Sequence, residues 1–339
     1  MRMKRIVLSF LLILVISQIK AQPLAQRLDS LLFNDPMLRT SEVGITVFDL
    51  TTGESLFQYQ DEKLYRPAST EKVVTSVTAL ATLGLDYTMD TRLQYTGKIE
   101  GDTLKGNLYL VGGFDPEFMD EDLDSLVDVI AQSGIRYIAD TLAADVSMMD
   151  SVYWGNGWSW DDVPDSFQPY MSPLMLNRGC VDVTVIPAEK DSLPIIECVP
   201  ASDYYQVDND GVSNNPQAGP LRITRNWLHN GNLIHVSGNV SKKTTRTLSI
   251  YTSKDFFFHT FINRLKEKGI EANTTAFADC PENDSLRVVS PLFILQRPIG
   301  EVLTQMMKES DNLCAESMFY HLALHHTQQK RVTDNDGSD

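Results

Sequence analysis

Two kinds of hydrophobic periodicity divide this sequence, and their order constrains the fold more than any other feature. Alternation at 42–50 and 55–59 around Thr51-Thr52-Gly53 predicts a β-hairpin, and Pro67 opens a helical pattern that ends at Gly84. Short strand patterns with Gly and Asp turns fill 94–285, with helical patterns at 121–132 and 256–268, and the helical period returns at 301–324. We therefore predict an α+β fold in which a β-rich region, 94–285, is inserted between 22–93 and 286–339.

Residues 1–21 have the composition of a secretory signal peptide. A positive start with Arg2, Lys4 and Arg5 precedes 11 apolar residues at 6–16, and small residues follow before Gln22. An apolar stretch of this length is too short to cross a bilayer as a stable helix, although a retained N-terminal anchor is the alternative. We expect an exported, periplasmic protein with no stable membrane insertion after cleavage.

The charge balance excludes some partners. Lys and Arg total 29 against 45 Asp and Glu, which gives a formal net charge of −16. A surface this acidic repels phosphate backbones and anionic lipid, so we expect no nucleic-acid partner. The 42% hydrophobic content is typical of a globular protein.

The cysteines and histidines give no metal-site pattern. Cys180 and Cys198 flank a predicted hairpin and could lie on facing strands, so a disulfide and isolated buried thiols both remain open. His321, His325 and His326 share a helical stretch without an acidic third ligand, so a solvated helix end is strongly favoured over a metal centre. No metal or other cofactor is expected.

An S-x-x-K motif, Ser69-Thr70-Glu71-Lys72, lies at the start of the helix after Pro67. Positions i and i+3 share a helix face, so the Ser69 hydroxyl and the Lys72 amine can approach within hydrogen-bond distance. A serine is a poor nucleophile until a base removes its proton, and lysine can be that base where burial favours its neutral form. The motif is common by chance, and on this motif alone an ordinary helix start, with Lys72 as a solvated charge, is the favoured explanation.

The tripeptide Ser310-Asp311-Asn312 occurs once in the chain and gives the first motif more weight. S-x-x-K combined with S-D-N is the signature of penicillin-recognising serine enzymes. Ser310 can relay a proton between Lys72 and a leaving amine, and Asn312 can hold a substrate amide. The alternative is a polar turn between two helices.

Longer segments resemble one family. The residues 67–73 (PASTEKV) resemble the nucleophile segment of low-molecular-mass class C penicillin-binding proteins, which are D-alanyl-D-alanine carboxypeptidase/endopeptidases. The segments 104–116 (LKGNLYLVGGFDP), 157–162 (GWSWDD), 172–180 (SPLMLNRGC) and 298–312 also follow the family's order. The resemblance implies a penicillin-binding/β-lactamase-like transpeptidase fold, with helices on an antiparallel sheet and a large β-rich insertion.

The resemblance also implies roles for individual residues. Ser69 would be the acylated nucleophile, Lys72 its general base, Ser310 the relay and Asn312 the amide-binding group. Asp162 and Phe167 match positions that shape recognition of the stem-peptide side chain, although a solvated loop acid is an equal alternative for Asp162. The implied partners are peptidoglycan stem peptides as substrate and β-lactams as covalent inhibitors.

The family's third motif, K-T-G, does not occur in this sequence. That motif lies on a strand that lines the cleft and supplies an oxyanion donor, and loss of one such donor costs roughly 10²- to 10³-fold in rate. We therefore expect a catalytic domain that is truncated and incomplete after Asn312. A catalytically impaired fragment, or a non-catalytic peptidoglycan-binding envelope protein, is the alternative function. A β-lactamase is disfavoured by the long separation of Ser69 and Ser310.

Overall fold

The computed structural model describes residues 23–282 and 288–337, and the chain divides after Ala68 into two compact units. The predicted signal peptide lies outside the described residues. The first unit contains helix α1 (Leu24–Asn34) and strands β1 (Ile45–Asp49) and β2 (Glu54–Tyr59). The two strands pair in antiparallel fashion across a turn in which Gly53 has φ 75°, so the predicted hairpin is confirmed. Phe33 of α1 packs edge-on against Tyr59 of β2.

The second unit begins at Ser69 and carries the remaining strands and helices. Its strands are β3 (Thr88–Thr96), β4 (Lys98–Glu100), β5 (Thr103–Lys105), β6 (Leu108–Val111), β7 (Tyr137–Asp145), β8 (Cys180–Ile186), β9 (Ile195–Val199), β10 (Gln206–Ser213), β11 (Arg222–Arg225), β12 (Leu233–Val240), β13 (Thr244–Ser249), β14 (Glu271–Phe277) and β15 (Val289–Pro298). Its helices are α2 (Lys72–Leu83), α3 (Asp120–Gln132), α4 (Ser253–Glu267), α5 (Ile299–Lys308) and α6 (Asn312–Thr327). None of the described helices is long and apolar enough to span a bilayer.

A seven-stranded mixed sheet is the centre of this unit, in the order β15-β3-β6-β7-β5-β4 with β14 also paired to β7. Helices α3 and α4 cover it through aliphatic and aromatic side chains, among them Leu126, Phe257 and Phe261, which are buried in its largest core. Strand β3 joins this sheet from the N-terminal side of the predicted insertion and pairs with β15 from the C-terminal side. The predicted boundary at 93/94 thus falls inside β3, and the boundary at 285/286 lies outside the described residues.

Two three-stranded sheets, β13-β8-β9 and β10-β12-β11, complete the β-rich region. The predicted hairpin around residue 190 is present as β8 and β9, but its cysteines do not face each other. Cys198 lies opposite Val183, and Cys180 lies opposite Ser249 on β13. Both thiols are free, as are those of Cys280 and Cys314.

A second core joins α2, α5 and α6, and it shows a face of α2 that the sequence pattern does not resolve. Ala79 of α2 is buried with Val302 and Met306 of α5 and Met318 of α6. The apolar positions that define the helical period lie elsewhere, and they are exposed to 49% (Val73), 67% (Val74), 62% (Val77) and 39% (Leu80). Periodicity correctly predicts the helix, whereas the buried side depends on which elements cover it.

The helical stretch at 301–324 consists of two helices with a break at the S-D-N motif. Ser310 has φ 56°, a left-handed conformation that ends α5, and Asp311 caps α6 by accepting a hydrogen bond from the Cys314 amide at 3.0 Å. On α6, the predicted solvated helix end is wrong for His321, which is 3% exposed and bonds through Nδ1 to the Tyr87 hydroxyl at 2.8 Å. Burial lowers the pKa of His321 to about 4, so the ring is neutral at pH 7.

Candidate active site

The S-x-x-K motif occupies the junction between a short 3₁₀ turn, Ala68–Glu71, and helix α2. Ser69 is exposed on the turn, whereas Lys72, one turn further along, is only 8% exposed. The Lys72 Nζ lies 3.2 Å from the Ser69 Oγ. The predicted approach of these two groups on one face is therefore present.

The S-D-N motif meets this pair through Asn312, the first residue of α6. The Lys72 Nζ donates a 2.6 Å hydrogen bond to the Asn312 Oδ1, which joins residues 240 positions apart. On its other side, the Asn312 Nδ2 donates to the backbone carbonyl of Phe167 at 3.2 Å. The amide of Asn312 is thus oriented from both ends, and its oxygen faces the lysine.

A cavity of about 400 Å³ opens beside Asn312. Ser310, Asn312 and Phe167 line it, together with Asp182 and Thr247 from strands β8 and β13. The Phe167 ring is 49% exposed at this cavity. Its mixture of polar and apolar walls suits a peptide with both a polar backbone and an aliphatic side chain.

Asp162 lies apart from this group. It ends a 3₁₀ turn, Trp160–Asp162, and its backbone carbonyl accepts a hydrogen bond from the Asp165 amide at 2.9 Å. Asp162 is not among the described residues that line the cavity, which the loop reaches at Ser166 and Phe167. Hydrogen bonds thus connect four of the predicted site residues: Ser69, Lys72, Asn312 and Phe167. Ser310 lies beside them in the lining of the cavity. Asp162 is not part of this group and precedes Phe167 by five residues in the loop.

Arg178 supports the S-D-N turn and was not identified by the sequence reasoning. Its guanidinium bonds to the Asp311 carboxylate at 2.8 Å and to the Glu117 carboxylate at 2.6 Å. Burial disfavours the charge of Arg178, but Glu117 and Asp311 outweigh burial and raise its pKa. Arg178 itself has φ 59°, an uncommon left-handed conformation for a residue other than glycine. The sequence did contain one indication of Arg178, because this residue lies in the tripeptide N-R-G within the family-like segment 172–180.

A second arginine fixes the helix that leads to the S-D-N turn. Arg297, at the end of β15, contacts Asp115 at 3.1 Å, Asp122 at 2.8 Å and Glu301 at 3.0 Å. Burial of the Asp115 side chain outweighs the attraction of Arg297 and raises the pKa of Asp115 to about 6. Arg297 therefore holds the segment 104–116 by charge next to α5.

Across 23–282 and 288–337, no group of three or more His, Cys, Asp and Glu side chains is placed to hold a metal ion. The Lys72 amine contacts the Ser69 hydroxyl, and the Asn312 amide contacts that amine. This arrangement can accept a proton from a hydroxyl and can hold an amide substrate, which are the two requirements of nucleophilic acyl transfer.

Comparison with solved structures gives the class of fold. The crystal structure of penicillin binding protein 4 (dacB) from Haemophilus influenzae matches with a TM-score of 0.71 at 24% identity, and covers 87% of this chain and 65% of that chain. A structure of the same protein complexed with a β-lactam matches with a TM-score of 0.64. The fold is therefore the α+β penicillin-binding fold, as the resemblance implied.

Comparison of sequences gives the family. The profile described as the D-Ala-D-Ala carboxypeptidase 3 (S13) family matches residues 24–337, and the chain belongs to this family. D-alanyl-D-alanine carboxypeptidase DacB of Haemophilus influenzae is 25% identical over 291 residues, which cover 84% of this chain and 60% of that protein. The D-alanyl-D-alanine carboxypeptidase of Actinomadura sp. is 30% identical over 196 residues, 56% of this chain and 36% of that protein. The chain thus spans about 60% or less of the length of these relatives.

Proposed function

We propose that this protein is a serine-type D-Ala-D-Ala carboxypeptidase/endopeptidase that acts on peptidoglycan stem peptides. One observation carries the proposal: the Lys72 amine lies within hydrogen-bond distance of both Ser69 and Asn312, at 3.2 and 2.6 Å. The family match and the names of the relatives, which are D-alanyl-D-alanine carboxypeptidases, support this chemistry. The charged start and short apolar stretch of residues 1–21 support export to the periplasm, where this substrate lies.

The proposed reaction is acyl transfer through Ser69. The Lys72 amine takes the hydroxyl proton as general base while the Ser69 Oγ bonds to the carbonyl carbon of the penultimate D-Ala. The C–N bond to the terminal D-Ala then breaks, and the leaving amine receives a proton through Ser310. Water releases the acyl group and restores the Ser69 hydroxyl. Asn312 holds the substrate backbone amide, and Phe167, with Asp162 further along the loop, shapes the pocket for the stem-peptide side chain.

A labelling experiment tests the nucleophile. A β-lactam presents a strained amide to the same serine, so a fluorescent penicillin should label the full chain covalently. Ser69→Ala should abolish labelling, and Ser125→Ala, which changes an exposed serine on α3, should not. Equal labelling of the Ser69→Ala and Ser125→Ala proteins would show that the assignment of the nucleophile is wrong.

A second candidate is a peptidoglycan-binding envelope protein that does not turn over its substrate. In the family, the K-T-G motif contributes to the oxyanion hole, and these 339 residues do not contain it. Release of D-Ala from an N-acylated D-Ala-D-Ala peptide separates the two candidates. Stoichiometric acylation by penicillin without catalytic release of D-Ala would favour the second.

A further inference from the structure

A cleft of aromatic side chains lies on the second unit, apart from the groups used in the proposed reaction. Its volume is about 440 Å³, within the roughly 300–1,000 Å³ range of small-molecule sites. Six aromatic residues line it: Tyr153, Trp154, Trp160, Tyr170, Trp227 and Tyr251. We propose that this cleft binds the sugar rings of a neutral glycan, namely the amino-sugar strand to which peptidoglycan stem peptides are attached.

The ring geometry supports a stacking site. The Trp160 and Trp227 rings lie 5.4 Å apart at 36° to each other, although they come from a loop and from the β11–β12 connection. Trp160 is 66% exposed, which is unusual for the largest apolar side chain and places an indole face in solvent. An aromatic face carries partial negative charge, and it therefore attracts the polarised C–H groups on the flat face of a pyranose ring.

Hydrogen bonds tie together the segments that carry the aromatic residues of the cleft. Arg225, which is 1% exposed, donates to the Ser249 carbonyl at 2.7 Å and the Gly231 carbonyl at 2.8 Å. Asn232 pairs with the backbone of Tyr251 through two bonds, at 3.2 and 2.9 Å. The connection that carries Trp227 is thereby tied to β13, so little ordering is needed when a ligand binds.

The uncharged lining of the cleft indicates which class of ligand it can bind. Among the described residues, those that line it carry no charged side chain, although the whole protein has a formal net charge of −16. Asn230 and the tyrosine hydroxyls supply hydrogen-bonding groups among the aromatic rings. A neutral polyhydroxylated ring satisfies both features, whereas a peptide with a free carboxylate or ammonium group would lose hydration without gaining a charged partner.

The aromatic cleft and the cavity beside Asn312 take lining residues from the same loop. Val163 and Tyr170 line the aromatic cleft, and Ser166 and Phe167, which lie between them in sequence, line the cavity beside Asn312. The choice of this particular glycan rests on the proposed function, whereas the affinity for sugar rings does not.

Titration with a soluble β-1,4-linked N-acetylglucosamine tetramer, followed by tryptophan fluorescence and calorimetry, tests the proposal on the full chain. We expect saturable binding that Trp160→Leu and Trp227→Leu each weaken about tenfold or more. Trp227→Phe keeps a flat ring and should retain most of the affinity. Leu193→Ala, which removes an exposed apolar side chain outside the cleft, should leave binding unchanged.

The outcomes distinguish this inference from the proposed catalytic function. The tetramer contains no peptide, so Ser69→Ala should bind it as the unsubstituted protein does, and Trp227→Leu should still be labelled by penicillin. Absence of saturable binding would overturn the inference, and so would Trp227→Leu binding as tightly as Trp227→Phe. Tighter binding of a sugar-free stem peptide in the aromatic cleft would likewise overturn it. Loss of penicillin labelling in Ser69→Ala bears on the catalytic proposal alone.

Discussion

Lys72 is the residue at which two distant segments of this chain meet. A lysine that is 8% exposed, with hydrogen bonds to a serine and an amide oxygen, is held in a single position by its partners. Burial of an amine is costly even where a carboxylate lies near enough to interact with it, as that of Glu316 does with Lys72, and proteins retain such groups mainly where chemistry requires them. The contacts of Lys72 therefore support a role in proton transfer more strongly than the S-x-x-K motif does.

Replacement of Lys72 by methionine should preserve packing and remove the base. We expect the rate of penicillin acylation to fall by about 10²- to 10⁴-fold, the usual contribution of a general base. Time courses of fluorescent labelling measure this rate, and Lys98→Met, an exposed lysine on β4, is the matched control. A Lys72→Met rate within threefold of the Lys98→Met rate would contradict the assigned role.

The burial of His321 should make the stability of the protein depend on pH. Its pKa is lowered to about 4 by burial, from an ordinary value of 6.5. The unfolded chain therefore binds a proton at a pH where the native state does not, so this residue's stabilisation is complete above pH 6.5 and declines as pH falls toward 4. From pH 7 to pH 5 the loss should be about 2 kcal/mol.

Urea unfolding at pH 7 and pH 5 measures that loss. His321→Gln cannot titrate, so the free energy of unfolding should fall by about 2 kcal/mol less in this variant than in the unsubstituted protein. The comparison is needed because the Asp115 carboxyl, with its pKa raised to about 6, changes stability in the opposite direction over the same range. Equal pH dependence in both proteins would contradict the neutral, buried state of His321.

At the scale of elements, the turn between α5 and α6 depends on contacts from elsewhere in the chain. Ser310 is left-handed, a conformation that costs roughly 1–3 kcal/mol in a residue other than glycine. The ion pairs of Arg178 with Asp311 and Glu117 connect this turn to the loop after β6. Rigid support of this kind is what places Asn312 beside Lys72.

Arg178→Met should destabilise the protein and also slow acylation. Loss of the guanidinium leaves two partly buried carboxylates unpaired, which we expect to cost about 1–3 kcal/mol of the free energy of unfolding. Arg246→Met removes a more exposed pair with Asp165, 43% and 44% accessible, and should cost less than about 1 kcal/mol. Urea unfolding and labelling rates of both variants provide the check, and similar results for the two would contradict the supporting role of Arg178.

Helix α2 has one face covered by α5 and one exposed face, and substitutions at the two faces should have different effects on stability. Met306 of α5 packs with Ala79 of α2 in a buried core, so Met306→Ala should lower the free energy of unfolding by about 2–5 kcal/mol. Val74 is 67% exposed, so Val74→Ser should change the free energy of unfolding by less than about 0.5 kcal/mol. Denaturant unfolding measures both values, and a large loss in Val74→Ser would show that this face is covered in solution.

At the scale of the whole molecule, stability rests on packing and ion pairs, and all four thiols are free. Cys180, Cys280 and Cys314 are buried, and burial raises the pKa of each, to about 12 for Cys180 and about 11 for Cys280. A thiol reacts as its thiolate, so these three should be inert while the protein is folded.

Thiol titration tests this arrangement. Ellman's reagent should react with at most one group in the native protein, the half-buried Cys198, and with four in denaturant. A reductant should leave the midpoint of thermal unfolding unchanged. Fewer than four thiols in the denatured protein, or a lower midpoint under reducing conditions, would contradict the absence of disulfides among these cysteines.

The sequence by itself determined the local structure and the identity of the chemical groups. The alternation around Thr51-Thr52-Gly53 defines a hairpin, and the spacing of Ser69 and Lys72 places both on one helix face, because these features depend on neighbouring residues alone. The motif segments were also sufficient to indicate the family. The helical pattern at 121–132, which the structure shows as α3 (Asp120–Gln132), follows for the same reason.

Only the tertiary structure decided which groups meet. The bond from Lys72 to Asn312 spans 240 residues, and the pairing of Arg178 with Asp311 spans 133. The buried face of α2, the burial of His321 and the stacking of Trp160 on Trp227 likewise depend on elements that are distant in the chain. Periodicity along a segment specifies its shape and its apolar side, whereas long-range packing specifies what covers each side, and a single sequence encodes that packing only through the fold as a whole.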